Sequence, residues 1–190
     1  MIDDKTSALL AAQAGVWDYD MERDRFCYCR GAALAFGLPN DQRLTGLGLG
    51  ELAAVVHPED RATYLAKVAP ILRSGGMINA TLRTDPALGP SRRLLMRGNV
   101  SPAEGRSDVR TSGIVVDLSD SGLLEAAQDE VSDGRGAFPA GLLEGIDHLI
   151  AARRCLAEMR APDAKDSLLL LDHLLINLAR GLAQEVRARH

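Results

Sequence analysis

The chain has 190 residues and a formal net charge of −4 at pH 7, which allows one core of roughly 100–150 residues with an appendage and leaves two full domains cramped. An acidic balance supplies no global basic field, so nucleic acid is not an expected partner. The three cysteines make no disulfide framework, Cys27 and Cys29 lack the CxxC spacing of a metal or redox pair, and neither the N-terminal segment nor the "LLLL" of 168–171 suits a leader or a bilayer span. The expectation is a cytoplasmic protein with no membrane insertion and no metal site.

In chain order, "TSALLAAQAG" predicts a short helix with Thr6 or Ser7 as cap and Gly15 as stop. "GVWDYD" and "RFCYCR" alternate large and polar residues around "MERDR", the pattern of a hairpin, with Cys27 and Cys29 on one strand face and Phe26 and Tyr28 on the other. "GAALAFGLP" is a short helix closed by Gly37 and Pro39. "GLGLGELAAVV" begins as a connector, since it follows no strand and lacks the Lys-Ser/Thr of a phosphate loop, and then becomes a helical turn. Pro58 suits the first turn of a helix, and Glu59 and Asp60 place negative charge at its positive end. That helix runs over 58–73 and stops at "SGG". Three strands follow, "MINATLRT", "SRRLLMRGNVS" and "VRTSGIVVDLS". The arginines at 83, 92, 93, 97, 106 and 110 make this region locally basic, as a solvated sheet face or a surface for an acidic partner. The fold class is therefore α+β, a five-stranded antiparallel sheet with flanking helices over residues 1–119.

Residues 120–137 read as a linker ending in a hinge, and 138–190 as two helices joined at "AP", hence an antiparallel two-helix hairpin. On a helical wheel Leu142, Ile146, Leu149 and Leu156 share one side of the first helix, and Leu168, Leu171, Leu175, Leu178 and Leu182 one side of the second. Two such helices cannot bury both stripes against each other, so a homodimer forming a four-helix bundle is expected. The segments "IDHLIAARR" and "LDHLLINLAR" echo one another and turn His148 and His173 away from the leucines, toward solvent, as candidate phosphoacceptors.

Three short motifs carry a resemblance. Gly15-x-Trp17-x-x-Asp20 at the first strand, His57-Pro58-x-Asp60 at the long helix and Gly113-x-x-x-Asp117-Leu118-Ser119 at the last strand stand in the order found in a PAS domain. The chain resembles, more narrowly, the sensor-kinase type, over about the first 120 residues. It departs at Leu94, where that subfamily carries an aromatic residue. The resemblance implies a space between sheet and helices that can hold a small ligand, here beside Trp17, Phe26, Tyr28, Phe36 and Tyr64. The Asn-Cys-Arg helix start of the flavin-binding subfamily is absent, and no histidine falls within 58–73 to ligate haem. With 4% aromatic residues, the expectation is no cofactor, and either a small apolar ligand or none.

His57 is expected to bond the backbone of the first helical turn. No GxSxG, HExxH or Cys–His pairing accompanies it, so no catalytic residue is expected and the chain does not read as an enzyme. Three functional readings stand: a non-enzymatic signalling protein that binds a histidine kinase or response regulator in a two-component-type pathway, a histidine phosphotransfer protein or degenerate kinase using His148 or His173, and a ligand-binding chemosensor.

Overall fold

The computed structural model describes residues 14–38, 46–100, 110–119, 140–159 and 164–188. The helix expected before Gly15 and the linker expected at 120–137 lie outside them. The described elements are β1 (Ala14–Asp20), β2 (Arg25–Tyr28), α1 (Arg30–Phe36), α2 (Leu49–Val55), α3 (Pro58–Ser74), β3 (Gly76–Arg83), β4 (Arg93–Val100), β5 (Arg110–Asp117), α4 (Ala140–Met159) and α5 (Ala164–Ala188). The five strands form one antiparallel sheet in the order β2-β1-β5-β4-β3. Helices α1 to α3 cover its inner face, and α4 and α5 cover its outer face.

Local chemistry sets the boundaries. The β1–β2 turn places Asp24 at φ 47°, a left-handed conformation that aspartate tolerates better than most side chains. Its carboxylate accepts hydrogen bonds from the Tyr19 hydroxyl at 2.7 Å and the Leu49 N–H at 2.8 Å, tying the turn to the start of α2. Helix α1 ends at Gly37, φ 72°. At the start of α3, Pro58 occupies the first turn, and His57 Nδ1 accepts from the Glu59 N–H at 3.4 Å. The Asp60 carboxylate accepts from the Arg83 backbone N–H at 3.2 Å and from its guanidinium at 2.8 and 3.0 Å. The His-Pro-Glu-Asp stretch therefore fastens α3 to the end of β3 and belongs to the scaffold.

Alternation along the strands divides the sheet into two cores. Trp17, Phe26, Tyr28, Leu82, Leu94, Met96 and Val115 point inward and pack with Phe36 of α1 and Tyr64 of α3. Leu94 is completely buried there. Trp17 lies across β5 and β4 and donates its indole N–H to the Ile114 carbonyl at 2.9 Å. Glycine under the ring makes this possible: a Cβ on Gly98 would sit 2.6 Å from the indole Cη2, and one on Gly113 2.4 Å from Cζ2. Gly15 serves a second close approach, since its Cβ would meet the Ala32 backbone nitrogen at 2.1 Å.

Ala14, Val16, Leu95, Ile114 and Val116 point outward. They are covered by Leu143, Ile146 and Ile150 of α4 and by Leu175, Ala179, Leu182, Ala183 and Val186 of α5. The missing partner for the hairpin is thus the chain's own sheet. Ile146, Leu175 and Leu182 of the two stripes are buried there without a second hairpin, beside Ala179 and Ala183 of α5.

Candidate functional site

The outer face changes character along its strands. At one end Ala14, Val116 and Leu95 form an apolar cross-strand row; at the other, Asp18, Ser112 and Asn99 stand opposite one another on β1, β5 and β4. The hairpin seats itself on the polar row through charge. Arg153 of α4, 8% exposed, donates to both Asp18 oxygens, at 2.5 and 2.9 Å, and to the Ser112 hydroxyl at 3.3 Å. It also pairs with Asp172 of α5 through Nε. Ser112 donates to Asp18 at 2.7 Å. One guanidinium therefore joins β1, β5 and both helices.

A second pair lies alongside. Arg97 of β4 donates twice to Asp147 of α4, both at 2.6 Å, and Arg154 donates to Asn99 at 2.9 Å. Such fork-to-fork contacts fix direction as well as distance. Desolvation opposes the charge on Arg153, but the hydrogen bonds and charges of Asp18 and then Asp172 outweigh it, holding its pKa above the ordinary value.

These contacts give the internal echo a meaning that the histidines do not. The aspartates of "IDHL" and "LDHL", Asp147 and Asp172, face inward as the two ion-pair partners, whereas His148 and His173 face solvent. His173 Nδ1 lies 2.7 Å from the Leu169 carbonyl. Sequence reasoning passed over the acids because a charged residue on an amphipathic helix normally marks the solvated side. The available signal was their identical place in both halves of the echo.

Among the residues expected at a dimer interface, Ile146, Leu175 and Leu182 are fully buried against the sheet. Leu142, Leu149 and Leu178 pack partly against the same cluster. Leu156 and Leu168 line an open groove between the end of α4 and the start of α5, beside Arg153 and Asp172, and Leu171 is half-buried. Of the arginines expected on a solvated face, Arg83 pairs with Glu59 and Asp60, Arg97 with Asp147, and Arg92 donates to the Leu34 and Ala35 carbonyls at the end of α1, while Arg106 lies outside the described residues. Acids on α3 and α4 and the free carbonyls of α1 account for the first three. The cysteines share a strand face only in part, for Cys29 lies just beyond β2 and its sulfur accepts from the Val16 N–H at 3.3 Å.

The five expected ligand-contact residues, Trp17, Phe26, Tyr28, Phe36 and Tyr64, all converge in the inner core. Phe26 is their centre, with ring centroids 5.4 Å from Trp17, 5.9 Å from Tyr28 and 6.0 Å from Phe36. Tyr64 turns its hydroxyl to the Met96 sulfur at 3.7 Å, and burial pushes that hydroxyl's pKa up. The Thr111 hydroxyl is buried on the same face with no hydrogen-bond partner among the described residues.

No family model matches the chain, and no curated protein matches it significantly. Among solved structures, it is similar to the N-terminal domain of a diguanylate cyclase with a PAS/PAC sensor from Marinobacter aquaeolei, with 18% identity over 56% of this chain and 95% of that one and a TM-score of 0.48. A sensory box histidine kinase/response regulator from Burkholderia thailandensis is 21% identical over 66% of this chain and 92% of its own, TM-score 0.46. An RNA-binding light-oxygen-voltage receptor is 20% identical over 90% of this chain and 49% of its own, also at TM-score 0.46. The element order and the five-stranded antiparallel sheet agree with what the three sequence motifs implied. The fold is PAS-like. Among the described residues no helix is long and apolar enough to cross a membrane.

Proposed function

We propose that this chain is a non-enzymatic signalling module that acts by protein–protein contact, with the α4–α5 hairpin as its output element. Its partner is a histidine kinase or response regulator in a two-component-type pathway. The observation that carries the reading is the ion-paired seat of the hairpin on the outer face of the sheet whose inner face encloses the aromatic core. The sheet is one residue thick at the junction. Trp17 bonds the Ile114 carbonyl from inside, while the Ile114 side chain packs in the hairpin cluster outside. A rearrangement of the inner core thereby reaches a residue that the hairpin touches. Partly buried ion pairs suit such a seat, because they fix position and direction while adding little net stability. The motif resemblance to sensor-kinase modules supports the same reading.

The test is to add the full chain, wild type and Arg153→Met, to purified histidine kinases and response regulators from its own cell and follow phosphorylation. The expected result is a change in autophosphorylation or phosphotransfer rate in at least one pair that the substitution alters. Identical rates with and without the protein across the set would sink the two-component assignment.

A second reading is favoured by Thr111 and Tyr64. A buried hydroxyl without a partner costs about 1–3 kcal/mol, and sulfur is a weak acceptor for a tyrosine. A small ligand with a polar end in the inner core would satisfy both groups. Native mass spectrometry is expected to show a retained mass that Thr111→Val loses; a bare chain mass, with no added small molecule raising the melting temperature, counts against it.

A further inference from the structure

The open groove between the end of α4 and the start of α5 has a volume of about 370 Å³, at the small end of the roughly 300–1,000 Å³ usual for ligand sites. On α5 it is lined by Lys165, Leu168, Leu169 and Asp172, the i, i+3, i+4, i+7 spacing of a single helix stripe. Arg153 and Leu156 of α4 line its other side. The walls are therefore apolar, and the α5 stripe ends in opposite charges about 10 Å apart along the helix axis. Neither charge is fully used within the protein. Asp172 accepts from the Arg153 Nε through Oδ1, while Oδ2 has no hydrogen bond among the described residues and the side chain is 24% exposed. Lys165 is exposed, with neither a carboxylate nor a hydrogen-bond partner among the described residues. Arg153 is no free cation, because Asp18 and Ser112 already occupy its two terminal nitrogens.

The geometry points to a site for a small zwitterion, an α-amino acid with an apolar side chain. Its ammonium donates to Asp172 Oδ2, its carboxylate meets the Lys165 ammonium, and its side chain lies on Leu156, Leu168 and Leu169. The order of charges selects this class. A fatty acid anchored at Lys165 would lay its tail toward Asp172 and desolvate an oxygen it cannot bond. An apolar amine anchored at Asp172 would set one cation facing another, with nothing to compensate Lys165. A zwitterion satisfies both ends: each polar contact spans about 3 Å, the ligand backbone lies between them, and the flexible lysine stem takes up the remainder. The apolar wall still open to water, led by Leu169 at 49% exposure, supplies the hydrophobic part of the affinity. This groove lies on the hairpin side of the sheet and is separate from the aromatic core that holds Thr111 and Tyr64. The inference goes beyond the signalling reading and does not rest on it.

The test is titration of the full chain with L-leucine, L-methionine and L-phenylalanine, followed by backbone amide chemical shifts. At least one is expected to bind with a Kd on the order of 0.1–1 mM, the weak range that suits an open groove, with shifts gathered on the end of α4 and the start of α5. Glycine, isocaproate and isoamylamine each lack one of the three recognised groups and should bind at least about tenfold more weakly than leucine. Lys165→Gln should bring a similar loss with an unchanged melt, since the lysine contacts nothing else. Lys165→Glu should reverse the preference from leucine to isoamylamine, a gain that misfolding cannot produce. No shift with any of the three amino acids at about 10 mM, binding that Lys165→Gln leaves intact, or analogues as tight as leucine overturns the proposal. Binding lost in Thr111→Val but kept in Lys165→Gln would overturn it as well, by placing the ligand in the inner core.

Discussion

On the inner face of the sheet, Trp17, Phe26 and Phe36 pack ring against ring, and the indole N–H is satisfied by a backbone carbonyl. One residue further along the same strand, Asp18 points outward and meets a guanidinium from a helix more than a hundred positions later. The two faces hold their helices by different physics. Inside, contact is apolar and close-packed, so its strength grows with area and any cavity is costly. Outside, ionic and hydrogen-bonded contacts join the apolar ones, so the position of the hairpin depends on a few groups meeting in one geometry. The inner face defines the fold; the outer face defines where the hairpin sits on it.

The comparison is broken most severely at Trp17. Replacing it with Ala should destabilise the protein by about 3–5 kcal/mol, because Gly98 and Gly113 leave nothing that could fill the space beneath the ring. Urea unfolding followed by circular dichroism measures it, and a loss below about 1 kcal/mol would show that the ring is not a core element.

Arg153→Met should cost less, about 2–3 kcal/mol, since Asp18 keeps partial access to water and can recover part of its solvation. The loss should be local: hydrogen exchange is expected to quicken in α4 and α5 while β4 and β5 stay protected. Uniform quickening across both would mean that the two faces unfold as one unit.

A smaller effect separates cap from chemistry at His57. His57→Leu should cost about 1 kcal/mol by removing the acceptor for the Glu59 N–H. His57→Asn should melt close to wild type. Lost signalling in a normally melting His57→Asn protein would make this histidine a functional group.

The gentlest probe is acid. The hydrogen bonds from Arg83 hold the Asp60 carboxyl below its ordinary pKa despite partial burial. A depressed folded value means that the stabilisation is present above the unfolded pKa, near 3.9, and is lost as pH falls through the folded one. Unfolding free energies of the wild type and Asp60→Asn should therefore differ at neutral pH and converge once the pH has fallen through the depressed folded value. A constant gap would show that the carboxylate charge is not what fastens α3 to β3.

The sheet and the inner core were legible because their signals are local. Alternation marked the strands, Pro58 and the acids after it marked α3, and the Gly-x-Trp pairing announced an inward indole. The seat of the hairpin was not legible, for two reasons. Counting leucines on α4 favours Leu142, Leu149 and Leu156, whereas the buried face runs through Leu143, Ile146, Ile150 and Arg153, a rotation of roughly 80° at 100° per residue. A charged residue on a buried face, such as Arg153, is invisible to any hydrophobic pattern. On α5, Ala179 and Ala183 are fully buried in the outer cluster, and small residues add little to a leucine stripe. The aromatic contact set was legible for the opposite reason, since large rings on adjacent inward positions leave few other places to go.

The placement of Trp17 also has an optical consequence. The chain contains a single tryptophan, 2% exposed, and α4 and α5 contain no aromatic residue at all. Intrinsic emission is therefore a spectrally clean channel that originates inside the sheet, with the hairpin dark. Because the indole N–H is bonded to Ile114, whose side chain lies under the hairpin, lifting that hairpin registers as a change in the colour or lifetime of one buried fluorophore, with no label attached.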